Sequence, residues 1–187
     1  LQNLGEKTKY DSQKELPTYL DNNEASAGTF IDVISRQWSW EFKYPEGFSS
    51  SELHIPINEK VYFRLISKDV IHGFYIPAFR LKQDIIPGSI ISYSLTPTRK
   101  GIYRLRDSMF SGAYFSQNQT NVIVESKDAY QEWINKTVKK VPVDGLNQAG
   151  FLYKKRLEKG DKGWATISPS PSPQVNDPGN PDSPHEG

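Results

Sequence analysis

Short apolar and aromatic runs, separated by turn residues, fill the chain from residue 29 to residue 125. In the run VYFRLIS, Val61, Phe63 and Leu65 recur at every second position, which is the pattern of a strand with one buried face. Turn sequences such as Pro87-Gly88 separate these runs. Short strands at this spacing are typical of a sandwich or a barrel, so the chain is predicted to be all-β.

The pattern changes at Ser126, where SKDAYQEWINKTVKK begins. Ser126 is a helix N-cap, Asp128 lies in the first turn, and apolar side chains recur along one side. We predict a β domain at 29–125, a helical extension at 126–163 and a polar N-terminal arm at 1–28. The Pro- and Ser-rich residues 164–187 contain almost nothing apolar, and this composition predicts a disordered tail.

Charge and composition exclude several classes of function. The chain has 187 residues with 23 Lys+Arg against 22 Asp+Glu, so it lacks the basic face that a nucleic-acid partner requires. It contains no cysteine, which excludes disulfides, zinc–cysteine sites and thiol catalysis. No apolar run approaches the ~20 residues of a membrane span. The basic stretch around Phe151 and Leu157 suits a membrane surface, an acidic partner or a short solvated helix.

Three segments, in order, resemble subunit II of haem–copper oxidases. They are RQWSWEFKYP (Arg36–Pro45), ELHIPINEKVYFRLISKDVIHGFYIPAFRLKQDIIPG (Glu52–Gly88) and TPTRKGIYR (Thr96–Arg104). The resemblance implies a cupredoxin-like Greek-key β-sandwich with a C-terminal helix, on the extracytoplasmic (periplasmic) side of a membrane, with the thylakoid lumen as an alternative. It also implies membrane helices before Leu1, and oxidase subunit I and other membrane subunits as partners. Haem and copper would reside in subunit I.

In this family a dinuclear copper site takes one histidine from the central segment and its other ligands from a loop of pattern C-x-E-x-C-x3-H-x2-M. His72 matches the first histidine. The loop positions are occupied by residues that do not form this site: Asp107 and Ser111 for the cysteines, Met109 for the glutamate, Phe115 for the histidine and Asn118 for the methionine. Without soft thiolates the chain is predicted to hold no dinuclear copper, no cofactor and no catalytic residue of its own.

His72 is then interpreted as a half-buried histidine whose ring nitrogens are hydrogen-bonded. A mononuclear metal site, using His72 with Asp107 or Met109, is the alternative. Trp38 corresponds to the family's electron-entry tryptophan, which is exposed above the copper. For Trp38 and Trp40 we predict packing or a partner contact.

The resemblance also places Arg80, Lys82 and Asp84 against subunit I, where they would form ion pairs, and a solvated turn is the alternative. These features predict subunit II of a terminal oxidase that oxidises quinol, with this chain as scaffold and interface. It most resembles a cyanobacterial-type alternative oxidase. Three alternatives stay open: a mononuclear metal-binding or copper-delivery domain, a purely structural module, and a cytochrome c oxidase subunit with another route of electron entry.

Overall fold

The computed structural model describes residues 7–9, 28–161, 163, 167–180 and 182. Its strands are β1 (Lys7–Lys9), β2 (Thr29–Arg36), β3 (Ser39–Lys43), β4 (Ser49–Ser50), β5 (Leu53–Pro56), β6 (Val61–Ser67), β7 (His72–Ile76), β8 (Leu81–Ile85), β9 (Ser89–Leu95), β10 (Gly101–Asp107), β11 (Gln119–Glu125), β12 (Val143–Asp144) and β13 (Gln174–Val175). The helices are α1 (Lys127–Thr137) and α2 (Gln148–Glu158), with single 3₁₀ turns at Pro77–Phe79 and Phe115–Gln117.

Two sheets form the β domain. One has the order β1-β9-β6-β2-β3-β4 and the other the order β5-β11-β10-β7-β8. The pairs β2–β6 and β5–β11 are parallel, and the remaining pairs in these two sheets are antiparallel. The all-β prediction is therefore confirmed.

The core shows why the alternating pattern predicted strands. Val61, Phe63 and Leu65 of β6 are 0–1% exposed, while Tyr62 and Arg64 between them are only partly buried. The facing sheet contributes buried residues such as Phe74 of β7 to the same cluster. Apolar burial of this kind contributes roughly 25 cal/mol for each Å² removed from water, so the two inner faces hold the sheets together.

Helix α1 forms where the sequence predicts it. The Ser126 side chain accepts a hydrogen bond from the backbone N–H of Ala129, which caps the helix. Tyr130 and Ile134 are buried against the β domain. The Trp133 ring stacks on His54 of β5 at 3.8 Å between ring centroids.

The predicted disorder of the C-terminal tail is wrong for residues 167–180. Strand β13 pairs with β12, and the N–H of Asn176 donates to the carbonyl of Ser49 at 2.9 Å. The Asp177 carboxylate accepts a hydrogen bond from Trp133 Nε1 at 2.7 Å. Because this segment satisfies polar groups next to the short strand β4, it stays in place with few apolar side chains.

The arm predicted at 1–28 lies outside the described residues except for β1 and Gly28. Strand β1 pairs with β9 at one edge of the six-stranded sheet. In the part of the chain that the structure describes, neither helix has the length and apolar character that crossing a membrane requires.

Candidate functional site

The candidate site lies where β7 begins and β10 ends. These strands are neighbours, with Asp107 opposite Phe74, so the register brings His72 and Asp107 to the same end of the sheet. Residues 108–118 form the loop that connects β10 to β11. This loop contains the positions that match the family's copper-binding loop in the sequence.

His72 is completely buried and lies between two carboxylates. Its Nδ1 is 2.6 Å from Asp107 Oδ2, and its Nε2 is 2.7 Å from Asp69 Oδ1. Since each carboxylate accepts a hydrogen bond, both ring nitrogens donate and the ring is an imidazolium. Burial lowers the pKa of His72, but the hydrogen bonds to Asp107 and Asp69 outweigh it and raise the pKa to about 8. The expected hydrogen-bonded histidine is thus fully buried rather than half-buried.

Asp107 accepts four hydrogen bonds. Oδ1 accepts hydrogen bonds from the backbone N–H groups of Gly73 at 2.8 Å and Met109 at 3.1 Å. Oδ2 accepts hydrogen bonds from His72 Nδ1 and from the side-chain amide of Asn118, the latter at 3.0 Å. A buried carboxylate is costly in free energy unless its oxygens accept hydrogen bonds, and those of Asp107 do. The four bonds join β7 to both ends of the loop.

Asp69, which lies outside the family's ligand pattern, completes the network. Its Oδ1 also accepts the N–H of Val70 at 2.7 Å, and its Oδ2 accepts the N–H of Gln37 at 2.7 Å. Burial raises the pKa of Asp69, but the hydrogen bonds from His72, Val70 and Gln37 lower it below its usual value. An acidic residue three positions before His72 was the available signal.

The structure therefore joins three of the six aligned positions, His72, Asp107 and Asn118. Asn118 is fully buried, and its carbonyl accepts a hydrogen bond from Trp40 Nε1 at 2.9 Å. The other three positions have different contacts. The Ser111 hydroxyl accepts a hydrogen bond from an indole, Phe115 packs against Phe110 at 5.1 Å, and the Met109 side chain is partly buried.

These residues do not fit a dinuclear copper centre. The chain has no thiolate, and the ring of Phe115 offers no donor atom. Both nitrogens of His72 already bond to carboxylates on opposite sides of the ring, so the three charged side chains do not converge on one point. Within the described ranges, no group of three His, Asp or Glu side chains is arranged to hold a metal ion.

Both tryptophans are buried in the structure, whereas the family's electron-entry tryptophan, to which Trp38 corresponds, is exposed. Trp38 is 1% exposed, lies edge-to-face with Tyr114 at 5.4 Å, and packs beneath Ala149 of α2. Its Nε1 donates to the Ser111 hydroxyl at 3.0 Å. Trp40 is 2% exposed. Trp38 packs inside the molecule because α2 covers the face that the family leaves open, and Trp40 packs in the main hydrophobic core.

Arg80, Lys82 and Asp84 are all exposed. Arg80 ends the turn at Pro77–Phe79 in a left-handed conformation with φ 51°, and the other two lie on the edge strand β8. Among the described residues these three side chains form no ion pair with one another. Their contact with subunit I stays a prediction.

Comparisons with known proteins give one consistent result. Residues 47–127 match the family model "Cytochrome C oxidase subunit II, periplasmic domain". Cytochrome c oxidase subunit 2 of Thermostichus vulcanus is 39% identical over 104 residues, covering 55% of this chain and 32% of that protein. Cytochrome bo(3) ubiquinol oxidase subunit 2 of Buchnera aphidicola subsp. Baizongia pistaciae is 33% identical over 112 residues, covering 58% of this chain and 39% of that protein.

A solved structure shows the same fold. The periplasmic domain of subunit II of cytochrome oxidase (CoxB) of Bradyrhizobium japonicum superposes with a TM-score of 0.56 at 23% identity. The match covers 59% of this chain and 93% of that domain, and it confirms the cupredoxin-like sandwich. The chain spans about a third of the length of the curated relatives named above, at 32% and 39%.

Proposed function

Residues 47–127 belong to the family of cytochrome c oxidase subunit II periplasmic domains, and from this premise we propose that the chain serves a terminal oxidase without a dinuclear copper centre. In this proposal the chain is the extracytoplasmic part of subunit II, follows membrane helices that precede Leu1, and packs on subunit I. Haem and copper reside in subunit I. The chain contributes structure and interface rather than a catalytic group.

The buried network around His72 is the observation that carries this proposal. In the family, metal ligation joins the central histidine to the loop. Here Asp107 makes the connection through four hydrogen bonds, and His72 is charged between two carboxylates. Charge-assisted hydrogen bonds are about twice as strong as neutral ones, so the loop has a metal-free means of keeping its shape.

We propose quinol as the electron donor. Two observations support it: the loop lacks the thiolate and histidine donors of a dinuclear copper centre, and α2 covers Trp38 so that no soluble donor protein reaches that indole. The aligned Buchnera relative is named as a subunit of a ubiquinol oxidase. Other aligned relatives are named as cytochrome c oxidase subunits, so a cytochrome c oxidase with another entry route is the competing proposal.

A donor assay on the complete complex tests the choice between donors. Oxygen uptake is measured with ubiquinol and, separately, with reduced cytochrome c, using the same preparation. We expect uptake with the quinol and only background uptake with the cytochrome. Comparable turnover with reduced cytochrome c would reject the quinol proposal and favour the other electron-entry route.

Restoring the family's ligands tests the alignment of the loop. The restored chain carries Asp107→Cys, Met109→Glu, Ser111→Cys, Phe115→His and Asn118→Met. Because the loop keeps the family spacing, copper with a reductant should give the purple, delocalised mixed-valence signal of a dinuclear centre. Loosely bound copper without that signal would show that the loop backbone has diverged. The same five changes with His72→Phe added are the matched control, in which the signal should be lost.

A further inference from the structure

Residues 174–180, called here the C-terminal strap, cover the segment that joins two sheet edges. Strand β4 is the last strand of the six-stranded sheet, and β5 is the first of the five-stranded sheet. The N–H of Ser51, between them, donates to the carbonyl of Asp177 at 2.9 Å, and the N–H of Asp177 donates to the carbonyl of Ser49 at 3.2 Å. Because an uncovered edge presents its backbone polar groups to other chains, the position of the strap decides whether this edge is accessible.

The side chain of Asp177 lies beside a buried histidine. His54 of β5 is 7% exposed, and its ring stacks on the ring of Trp133. Its Nδ1 is 2.9 Å from Glu125 Oε1, and its Nε2 is 3.9 Å from Asp177 Oδ2. That Nε2 is buried and has no hydrogen-bond partner among the described residues. One ring nitrogen is therefore paired with a carboxylate, while the other faces a second carboxylate without a hydrogen bond.

The protonation state of His54 decides whether this second contact is attractive. An ionised carboxylate only accepts, so Nδ1 carries the hydrogen that is donated to Glu125. In the neutral ring, Nε2 is then an acceptor that faces the Asp177 carboxylate, which is also an acceptor, and the two repel each other. In the imidazolium, Nε2 carries a hydrogen, and a shift of about 1 Å in the strap would form a charge-assisted hydrogen bond.

Three other titratable groups lie around His54 or the strap. The hydroxyl of Tyr44 donates to the carbonyl of His54 and accepts its N–H, and burial raises the pKa of Tyr44. From α1, Tyr130 is also buried, and burial raises its pKa, so both phenols stay neutral near neutral pH. Glu52 accepts the N–H of Asn180 at 3.0 Å, and burial raises the pKa of its carboxyl. Glu52 is thus a second titratable anchor of the strap.

We propose that His54 is a proton-operated latch for the C-terminal strap. Charged His54 binds Asp177 and keeps the strap on the edges of β4 and β5. When His54 loses its proton, Nε2 repels the Asp177 carboxylate and the strap loosens. The strap is therefore held more firmly on the acidic side of this titration and more weakly on the alkaline side. The latch shares no residue with the His72 network, and it does not depend on the identity of the electron donor.

Amide hydrogen exchange of the 187-residue chain, followed by NMR at about pH 6 and about pH 9, tests the latch. Exchange rates are converted to protection factors, which removes the pH dependence of the exchange reaction itself. In the wild-type chain we expect the protection of the Ser51 and Asp177 amides to fall at least about tenfold over this interval, because one charge-assisted hydrogen bond is lost.

Four variants separate His54 from the other titrating groups. His54→Gln does not titrate and should abolish the fall in protection. Asp177→Asn lies on the strap, leaves the buried histidine in place and should abolish the fall as well, because it removes the carboxylate that faces Nε2. The matched controls Glu52→Gln and His72→Gln each remove one other titrating group and should keep the fall.

Three results would overturn the latch. They are unchanged protection in the wild-type chain, a fall in Asp177→Asn as large as in the wild-type chain, and a fall that disappears in Glu52→Gln or His72→Gln. The last result would assign the pH dependence to another group. Circular dichroism confirms that each variant is folded, and Asp177→Asn decides the question if His54→Gln does not fold.

Discussion

The charged state of His72 makes the stability of the chain depend on pH in a defined direction. Its pKa is raised from 6.5 to about 8. Below pH ~6.5 both the folded and the unfolded states carry the proton, so the contribution of His72 is present in full. As the pH rises through about 8, the folded state loses the proton and the contribution disappears. At about 1.4 kcal/mol for each pH unit, this contribution is about 2 kcal/mol.

The assay is urea unfolding followed by circular dichroism at about pH 6 and about pH 9. Over this interval the wild-type chain should lose about 2 kcal/mol more of its unfolding free energy than His72→Gln loses. The substituted glutamine side chain keeps hydrogen-bonding groups but does not titrate. A direct check is the NMR titration of His72 in the wild-type chain.

The same pH dependence in the wild-type chain and in His72→Gln would refute a charged His72. A measured pKa of the His72 imidazole at or below its ordinary value of 6.5 would also refute it. Either result would mean that the two carboxylates do not hold a charged ring. Asp69 adds a dependence at acidic pH, because its pKa is lowered in the folded state. Its contribution to stability is present above its ordinary pKa of 3.8 and is lost as the pH falls below that value.

Two further substitutions test the network and the cover over Trp38. Asp107→Ala leaves charged His72 with one carboxylate and should cost about 3–5 kcal/mol in urea unfolding, whereas the exposed Asp84→Ala should stay within about 0.5 kcal/mol. Equal costs would mean that Asp107 is not an anchor of the loop. Ala149→Glu places a charge against the indole and should cost about 2 kcal/mol or more and increase acrylamide quenching of tryptophan fluorescence. Gln148→Glu, an exposed change at the neighbouring position, should alter neither the unfolding free energy nor the quenching. Unchanged quenching in Ala149→Glu would argue against the packing of α2 on Trp38.

The sequence predicted those parts of the fold that local patterns determine. The alternation at Val61, Phe63 and Leu65 gives the buried face of β6, and Ser126 with Asp128 gives the start of α1. These two signals depend only on residues close together in the chain and on burial in a single hydrophobic core. Such signals are strong because the same side chains set the local conformation and the packing.

The site was located by sequence but its chemistry was not. Alignment found His72, Asp107 and Asn118, but it considered Asp107 only as a lost copper ligand or a ligand of a mononuclear metal, and Asn118 only as a lost ligand. That Asp107 accepts four hydrogen bonds depends on Gly73 from another strand and on the loop's return to Asn118. The charged partner Asp69 has no counterpart in the ligand pattern, so nothing in the pattern identified it.

Long-range packing explains the other differences. Trp38 is buried because Ala149, more than a hundred residues later, has a side chain small enough for α2 to rest on the indole. The tail keeps its place through Asp177 and backbone hydrogen bonds, which composition does not reveal. A prediction from composition measures how much apolar surface a segment can bury, and this segment depends on polar contacts instead.

The central claim is that charged hydrogen bonds join His72 to the loop in place of copper. Electron paramagnetic resonance of the unmodified 187-residue chain, after incubation with copper and a reductant and removal of loosely bound metal, tests it most directly. We expect no delocalised mixed-valence signal and no stoichiometric copper bound at His72. A purple, delocalised dinuclear signal from the unmodified chain, lost in His72→Gln, would contradict it.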